Sequence, residues 1–236
     1  MASKAPRSNA RGIALGIDTA SPTPSLALLR DGEVVAAQRW EARETMSREL
    51  LTALDAFLRE ARVDRRDLGA IAVNTGPGQY GALRVGVATA QGLAVALDVP
   101  LAGVGRLEAE AYPHLAAERN VVAVHHAGRS GYAWAAYAVQ REHAAPRALI
   151  EPRLDDAEGV AERAPAGAAW CGEIDDVLRA SVMDYLGDVD ELSAPSEPRA
   201  VSVARLAMLH EAFGDPAGVD VVYLRPPPIT QPKPAG

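Results

Sequence analysis

Apolar and polar positions alternate along the first half of the chain in a pattern that predicts strands followed by a helix. Three apolar runs, 13–19, 25–29 and 33–40, are separated by a loop and by the dipeptide Asp31-Gly32. Because Asp-Gly favours a tight hairpin turn, the runs predict a meander of three strands. From Thr45 to about residue 62, apolar residues recur at helical spacing, which predicts an amphipathic helix.

The next segment combines a strand, a glycine-rich loop and a second helix. The apolar run 70–74 leads into Gly76-Pro77-Gly78. Small and apolar residues then predict a helix over 82–97 and a further strand over 100–104. The predicted order of this part of the chain is therefore βββαβαβ.

A weaker copy of this order follows a helical pattern at 106–117. It consists of predicted strands at 121–126, 132–139, 147–150 and 168–171, an acidic turn or helix at 155–163, and predicted helices at 175–186 and 201–213. Repetition of a βββαβα unit is typical of paired ribonuclease-H-like lobes. We therefore expect an α/β fold with two such lobes.

Four segments follow from this interpretation. We expect an N-terminal ribonuclease-H-like lobe over 12–108 and a degenerate second lobe over 109–225. Residues 1–11 are polar and lack periodicity, so they are expected to be disordered, and 226–236 is rich in proline, which predicts an extended tail.

Composition limits the classes of function. The formal net charge of -7 argues against a basic face that could hold an RNA backbone, so contact with RNA would go through a partner. Both lysines, Lys4 and Lys233, lie in the terminal segments, which removes a Walker or catalytic lysine from the folded region. The chain lacks an apolar run of about 20 residues and a signal-peptide pattern, and its single cysteine is Cys171, so we expect a cytoplasmic protein without a membrane span.

The glycine loop has two interpretations. A glycine turn at a helix N-terminus can bind an anion through backbone N–H groups, or it can allow close packing. Gly76-x-Gly78-x-x-Gly81 also satisfies the spacing of a dinucleotide-binding fingerprint, with Asp98 as the candidate ribose ligand. The context contradicts that fingerprint, because a meander and a helix precede this loop.

Asp18 ends the first predicted strand and is followed by hydroxyl residues that include Thr19 and Ser21. A carboxylate in this position can hold Mg²⁺ through waters while hydroxyl and N–H groups bind phosphate. The alternative is an aspartate that caps a turn. The residues alone leave both interpretations open.

No motif for catalysis or metal binding is complete. His125 and His126 are adjacent in a predicted strand, so their side chains point to opposite faces and are poorly placed to share a metal. The chain has no His-x-x-x-His or Cys-x-x-Cys spacing, and Gly128-Arg-Ser-Gly131 lacks the spacing of a nucleophile elbow. We therefore assign no catalytic residue and no metal site.

The predicted helix 82–97 is small or apolar almost all round. Such a helix is normally buried within its own domain. Beside the predicted helix 45–62 it could instead share an apolar stripe with another protein. Both interpretations remain open from the pattern alone.

Several of these segments together resemble the TsaB (YeaZ) family of glycoprotease-like proteins, which is grouped with peptidase family M22. The resemblance rests on Leu15-Gly-Ile-Asp-Thr19, helix 47–58, strand 70–73, Gly76-Pro-Gly78, Leu83-Arg-Val-Gly-Val-Ala-Thr-Ala-Gln-Gly-Leu-Ala94 and Pro100-Leu-Ala-Gly-Val104. It is dense over 13–110, whereas the second lobe matches in outline and in the closing Tyr223-Leu-Arg225.

The resemblance implies an actin-like ATPase superfamily fold and a part in making N6-threonylcarbamoyladenosine at position 37 of tRNAs that read codons beginning with A (t6A37). In that family the protein is not the catalyst. It pairs through helices of its N-terminal lobe with the metal- and ATP-dependent enzyme TsaD, the ATPase TsaE joins them, and it forms a homodimer over a similar surface in the absence of TsaD. Contact with tRNA is then indirect. The candidate interface residues are Met46, Leu50, Leu54, Leu83, Val87, Ala90 and Ala94.

This chain departs from the family pattern at places that bind ligands. The common loop Gly-Pro-Gly-Ser-Phe-Thr-Gly-Leu-Arg reads Gly76-Pro-Gly-Gln-Tyr-Gly-Ala-Leu-Arg84, and a frequent Asp-Ala-Arg appears as His126-Ala-Gly128. These changes weaken nucleotide binding more than they weaken a role as a scaffold. We expect at most a vestigial site with weak affinity for ATP or ADP with Mg²⁺, formed by Asp18, Thr19, Gly76, Pro77 and Gly78, and no other cofactor.

The leading hypothesis is a non-catalytic scaffold subunit that binds and positions a TsaD-like enzyme for t6A37 modification. The alternative is an ATP-binding phosphotransferase or ATPase of the actin and sugar-kinase superfamily, which would use Asp18 for a metal and the glycine loop for phosphate. A metalloprotease would need metal ligands that the sequence does not offer.

Overall fold

Two mixed sheets of five strands each organise the computed structural model, which describes residues 12–115, 119–139 and 144–224. The strands are β1 (Ile13–Asp18), β2 (Ser25–Arg30), β3 (Glu33–Arg39), β4 (Leu68–Gly76), β5 (Leu101–Gly105), β6 (Val121–His126), β7 (Tyr132–Ala138), β8 (Arg147–Asp155), β9 (Ala169–Gly172) and β10 (Asp190–Glu191). The helices are α1 (Met46–Glu60), α2 (Tyr80–Leu97), α3 (Arg106–Ala111), α4 (Ala157–Arg163), α5 (Asp176–Leu186) and α6 (Arg199–Leu209). The terminal segments predicted at 1–11 and 226–236 lie outside the described residues.

The first sheet has the strand order β3-β2-β1-β4-β5. Strands β1, β2 and β3 pair antiparallel, whereas β4 is parallel to β1 and β5 is parallel to β4. Asp31 and Gly32, between β2 and β3, both have positive φ, at +53° and +84°. Positive φ at both positions is what a tight two-residue hairpin turn requires, so the predicted meander is confirmed.

The second sheet repeats this arrangement with the order β10-β9-β6-β7-β8. Its antiparallel strands β6, β7 and β8 correspond to β1, β2 and β3, and β9 is parallel to β6 as β4 is to β1. The predicted α/β fold with two βββαβα units of ribonuclease-H type is therefore confirmed. The lobe boundaries stay predictions.

Some element bounds differ from the predicted ones. The predicted helix 106–117 ends at Ala111, and a 3₁₀ turn, Tyr112–His114, follows it. Pro113 explains this early end, because proline has no N–H for the next helical hydrogen bond. Strand β8 also continues to Asp155, beyond the predicted end at residue 150.

Four helices cover the two outer faces of the sheets. Helices α1 and α2 pack on the first sheet, where Leu50, Phe57 and Ala90 join Leu15 and Ile71 in one apolar core. Helices α4 and α5 cover the second sheet, with Val160 and Leu178 packed around Trp134 and Trp170. Burial of these apolar side chains is the main source of stability for each sheet.

Helices α3 and α6 lie between the sheets. Leu107 of α3 packs with Val121 of the second sheet, whereas Ala109 of the same helix packs with Leu206 of α6. The other face of α6 contacts the first sheet, where Ala204 packs with Leu29. The layers therefore run from α1 and α2 through the first sheet, the α3–α6 layer and the second sheet to α4 and α5.

Helix α2 is long and apolar enough, by length and composition, to cross a membrane. A single such helix is weak evidence, because the core helix of a water-soluble fold passes the same test. In this structure Ala90 and Ala94 of α2 are fully buried in the core of the first sheet.

Gly16 of β1 sets how closely α6 approaches the first sheet. A Cβ atom at this position would lie 2.2 Å from the carbonyl oxygen of Ala200. Gly16→Ala should therefore lower the free energy of unfolding by about 1–3 kcal/mol, the range for an overpacked core. Urea unfolding measures the change.

Gly92→Ala is the matched control, because a Cβ at this exposed position of α2 meets nothing within 4 Å. The free energy of unfolding of this control should rise by about 0.5–1 kcal/mol, because alanine has a higher helix propensity than glycine. Equal stability of the two variants would contradict the close packing of α6 on β1.

Candidate functional site

Asp18 lies at the end of β1 and is fully buried between β4 and α6. Its Oδ1 accepts hydrogen bonds from the backbone N–H of Ala20 and from Nδ2 of Asn74, both at 2.9 Å. Its Oδ2 accepts a hydrogen bond from Nη1 of Arg199 at 2.8 Å. Both carboxylate oxygens are therefore engaged by groups of the chain itself.

Thr19 ties β1 to the first turn of α2. Its hydroxyl donates a hydrogen bond to the carbonyl oxygen of Ala82 at 2.9 Å. Gly86 makes this contact sterically feasible, because a Cβ there would lie 2.2 Å from Oγ1 of Thr19. The hydroxyl that the sequence suggested for phosphate binding thus positions a helix.

The glycine loop is packed against the segment that follows β1. Gly76 has a φ of +108°, which favours glycine, and its N–H donates to Oδ1 of Asn74 at 2.9 Å. A Cβ on Gly78 would lie 2.3 Å from the carbonyl oxygen of Ala20. Pro77 follows a cis peptide bond in the same turn. The structure brings Asp18, Thr19, Gly76, Pro77 and Gly78 together, and these contacts correspond to the close-packing interpretation.

The side chain of Arg199 links Asp18 to α3, on the side of the second sheet. It is the first residue of α6, and its Nη2 lies 2.5 Å from Oε2 of Glu110 on α3. Burial alone would lower the pKa of this guanidinium, but the charges of Asp18 and Glu110 raise it above its ordinary value. Arg199 is therefore held as a cation between two carboxylates.

Arg106, the first residue of α3, is 3% exposed. Its Nη1 donates to the carbonyl oxygen of Ala20 at 3.2 Å, and its Nη2 donates to Oε1 of Glu173 at 2.6 Å. Nδ1 of His125 lies 2.9 Å from Nη1 of Arg106 and 3.0 Å from Oε2 of Glu173, so it accepts from one or donates to the other according to its tautomer. Arg106 thus links the loop after β1 to the ends of β6 and β9.

The carboxyl group of Glu173 is stabilised as an anion in this arrangement. Burial alone would raise its pKa, but the hydrogen bond with His125 and the positive charge of Arg106 lower the pKa to about 2. The backbone N–H of His126 also donates to Oε2 of Glu173, at 3.1 Å. This carboxylate is charged throughout the neutral range.

Together these groups form a row of alternating charges from the first sheet to the second. We call it the inter-sheet ion chain, and its members are Asp18, Arg199, Glu110, Arg106 and Glu173. Buried charges are tolerated when each has partners of opposite sign and hydrogen bonds. Asp18, Arg199 and Arg106 meet this condition at the end of the α3–α6 layer. In the described part of the chain, Oε2 of Glu110 has ion pairs but no hydrogen bond, and the side chain of Glu173 is 43% exposed.

A cleft of about 490 Å³ opens beside the ion chain, between the glycine loop and the second sheet. Its walls include Gly78, Gln79, Arg106, His125 and Tyr223. The volume falls in the range of small-molecule sites, but its arginine is already bound to Glu173. His126 also lines the cleft, and its Nε2 lies 3.5 Å from Oδ2 of Asp175.

A nucleotide with a bound metal, as an actin-like fold implies, is a poor fit to these residues. The oxygens of Asp18 already accept from Ala20, Asn74 and Arg199, and Thr19 donates to Ala82. Within residues 12–115, 119–139 and 144–224, no group of three or more His, Cys, Asp or Glu side chains could hold a metal ion.

The seven candidate interface residues predicted on α1 and α2 are all buried in this chain. They are Met46, Leu50, Leu54, Leu83, Val87, Ala90 and Ala94. The hydrophobic pattern marks the face that packs on the first sheet, so these side chains do not form the surface of the free chain. A contact surface on this helix pair would consist of other residues.

The exposed side of the helix pair carries a group of small and apolar residues beside Arg84. We call it the outer helix face, and it comprises Leu51, Arg84, Ala88, Gly92 and Val95. Leu51 is 58% exposed and Val95 is 71% exposed. Exposed apolar groups next to small residues are typical of surfaces that receive another helix.

The segment after α6 closes over the start of α2. The N–H of Val222 donates to the carbonyl oxygen of Thr75 at 2.9 Å, and Nε2 of Gln91 donates to the carbonyl oxygen of Val219 at 2.8 Å. The rings of Tyr223 and Tyr80 stack with centroids 5.2 Å apart. The closing Tyr223 noted in the sequence therefore has a structural role beside the glycine loop.

Comparison with known proteins was decisive for the family. The family model described as "TsaD: tRNA N6-adenosine threonylcarbamoyltransferase" matches residues 34–169, which is more than half of the chain. The chain belongs to the TsaD family. A tRNA N6-adenosine threonylcarbamoyltransferase of Geotalea uraniireducens is 30% identical over 224 residues, which cover 84% of this chain and 59% of that protein.

The resemblance to TsaB (YeaZ) is also confirmed. The tRNA threonylcarbamoyladenosine biosynthesis protein TsaB of Bacillus subtilis is 36% identical over 94 residues, which cover 40% of this chain and 41% of that protein. A crystal structure described as an uncharacterized protein with similarity to peptidase YEAZ from Pseudomonas aeruginosa is 25% identical, with a TM-score of 0.72, and the match covers 91% of this chain and 100% of that one. This TsaD-family chain spans 31% to 59% of the length of the curated transferases it matches.

Arg106→Ala should lower the free energy of unfolding by about 1–3 kcal/mol, because the buried carbonyl oxygen of Ala20 loses its donor and Glu173 loses its ion pair. The matched control is Arg119→Ala, which breaks an ion pair with Asp190 whose side chains are 44% and 59% exposed. The control should cost less than about 1 kcal/mol. Urea unfolding compares the two variants, and equal losses of stability would contradict a special role for the buried guanidinium of Arg106.

Glu173→Gln tests the charge on this carboxylate through pH. Folding lowers the pKa of Glu173 from 4.5 to about 2. The stability that the charged carboxylate contributes is therefore present above pH 4.5 and is lost as the pH falls toward 2. The wild type should be more stable than the variant near neutral pH, and the difference should shrink below about pH 4.5. Urea unfolding of both proteins across this range gives the difference, which would stay constant with pH if Glu173 were an ordinary exposed carboxylate.

Proposed function

We propose that the chain is a non-catalytic subunit that binds and positions a TsaD-like threonylcarbamoyltransferase during t6A modification of tRNA. The observation that carries the proposal is the engagement of Asp18. Its oxygens bind Arg199, Asn74 and the Ala20 N–H, so the residue best placed to hold a metal-bound phosphate is committed to the fold. A chain organised in this way acts through its surface.

The pattern of relatives supports a TsaB-like role. The solved YeaZ-like protein is 25% identical to this chain and is covered over its whole length by it. The Bacillus subtilis relative is named as a biosynthesis protein for threonylcarbamoyladenosine. A partner that supplies the transferase activity is consistent with both observations.

The outer helix face is the surface we assign to this partner. Helix α2 is anchored at its start by Thr19 and Gly78 and along its length by Gln91. A helix held at several points presents Val95 and the small residues beside it in a fixed arrangement. Two helices of a partner can pack against such a pair without reorganising the core.

The same face would serve a homodimer when the transferase is absent, so the two partners would compete. A TsaE-like ATPase would join the assembled pair. Contact with tRNA would remain indirect, because a chain with a net charge of -7 lacks the basic surface that binds polyphosphate directly.

Val95→Glu should weaken binding to a TsaD-like transferase from the same genome at least about tenfold, since it buries an unpaired charge in the contact. The matched control is Val177→Glu on α5, where the original valine is 65% exposed compared with 71% for Val95. The control should bind like the wild type. Isothermal titration calorimetry of the three proteins measures the affinities.

Unchanged affinity of Val95→Glu would move the contact away from the outer helix face. Failure of the wild-type chain to form any complex with the transferase would contradict the proposed function itself. Thermal unfolding of both variants checks that each keeps the fold.

A further inference from the structure

We infer that Arg199 is a built-in cation that occupies the place beside Asp18 where a bound metal would sit, and that it joins the two sheets without any ligand. The guanidinium bridges Asp18 of the first sheet and Glu110 of α3, which packs on the second sheet. The inference goes beyond the proposed function and does not depend on a TsaD-like partner.

The position of Arg199 in its helix supports this assignment. It is the first residue of α6, and a cation at a helix N-terminus is opposed by the helix dipole. The N-terminal turn is capped independently, because the N–H of Ala200 donates to the hydroxyl of Ser25 at 3.1 Å. The arginine is therefore not needed to start the helix, and its favourable contacts are those with the two carboxylates.

The two carboxylates have the chemistry of a cation site. The side chain of Asp18 is fully buried and that of Glu110 is 14% exposed, so without Arg199 two anions would lie in a poorly hydrated place, with Arg106, 3.9 Å from Glu110, as the remaining cation. Carboxylate oxygens are the ligands that hard divalent cations prefer, with waters completing the coordination. Removal of the guanidinium should convert this pair into a weak divalent-cation site.

Space for such a cation exists next to Arg199. Two cavities of about 130 and 290 Å³ border the arginine, and both are also lined by Glu110. Loss of the side chain would enlarge this space and admit water with the ion. In the wild type, by contrast, the guanidinium prevents solvent cations from reaching the two carboxylates.

The test measures binding of Mn²⁺, followed by electron paramagnetic resonance of the free ion, to the full chain. Arg199→Ala should bind one equivalent with a Kd on the order of 10⁻⁴–10⁻³ M, the range of weak oxygen-ligand sites, and Mn²⁺ should raise its Tm. The wild type should show no saturable binding. The double variant Arg199→Ala with Asp18→Asn should lose the site.

The matched control is Arg205→Ala on the same helix, where the arginine pairs with Glu197 at 2.7 Å away from Asp18. It should bind no Mn²⁺. Arg199→Met serves as a second variant that keeps more of the side-chain volume, and both Arg199 variants are also refolded with Mn²⁺ present. The inference would be overturned if neither Arg199 variant bound Mn²⁺, whether folded alone or refolded with the ion. It would also be overturned if the wild type bound Mn²⁺ and Asp18→Asn removed that binding.

Discussion

Two largely buried guanidinium groups link the two sheets of this protein beside the cleft. Arg199 joins the end of β1 to α3, and Arg106 joins α3 to the ends of β6 and β9. Each charge needs its neighbours, because an isolated ion in this layer would cost several kcal/mol. The apolar contacts of α3 and α6 bring the sheets together, and the ion chain determines which groups meet at the cleft.

The packing of the glycine loop depends on one of these guanidinium groups, that of Arg106. Arg106 holds the Ala20 carbonyl, and Gly78 packs against that same carbonyl, so the loop and the end of β1 form one unit. Thr19 then fixes the first turn of α2 through Ala82. The glycine loop resembles a phosphate-binding loop in sequence, but in this structure it anchors α2, whose other side is exposed and mostly apolar.

The fold and the residues around Asp18 could be predicted from local patterns, whereas the distant partners of those residues could not. The Asp31-Gly32 turn and the periodicity of α1 are signals carried by neighbouring residues, and the structure has both. Arg199 and Asp18 are 181 positions apart, and nothing near either residue indicates the other. The same limit affected the helix pair, since hydrophobicity identifies the positions that face the core, such as Ala90, and leaves the exposed Val95 unmarked.

We propose that the chain's own charges complete the cleft, so that the protein works by binding a partner and not by nucleotide chemistry. Calorimetric titration of the wild-type chain with ATP and Mg²⁺, combined with an assay of phosphate release, tests this claim most directly. The chain alone should show neither saturable binding nor turnover, as this proposal requires. Saturable binding with ATP hydrolysis would contradict it and favour an enzyme of the actin and sugar-kinase superfamily.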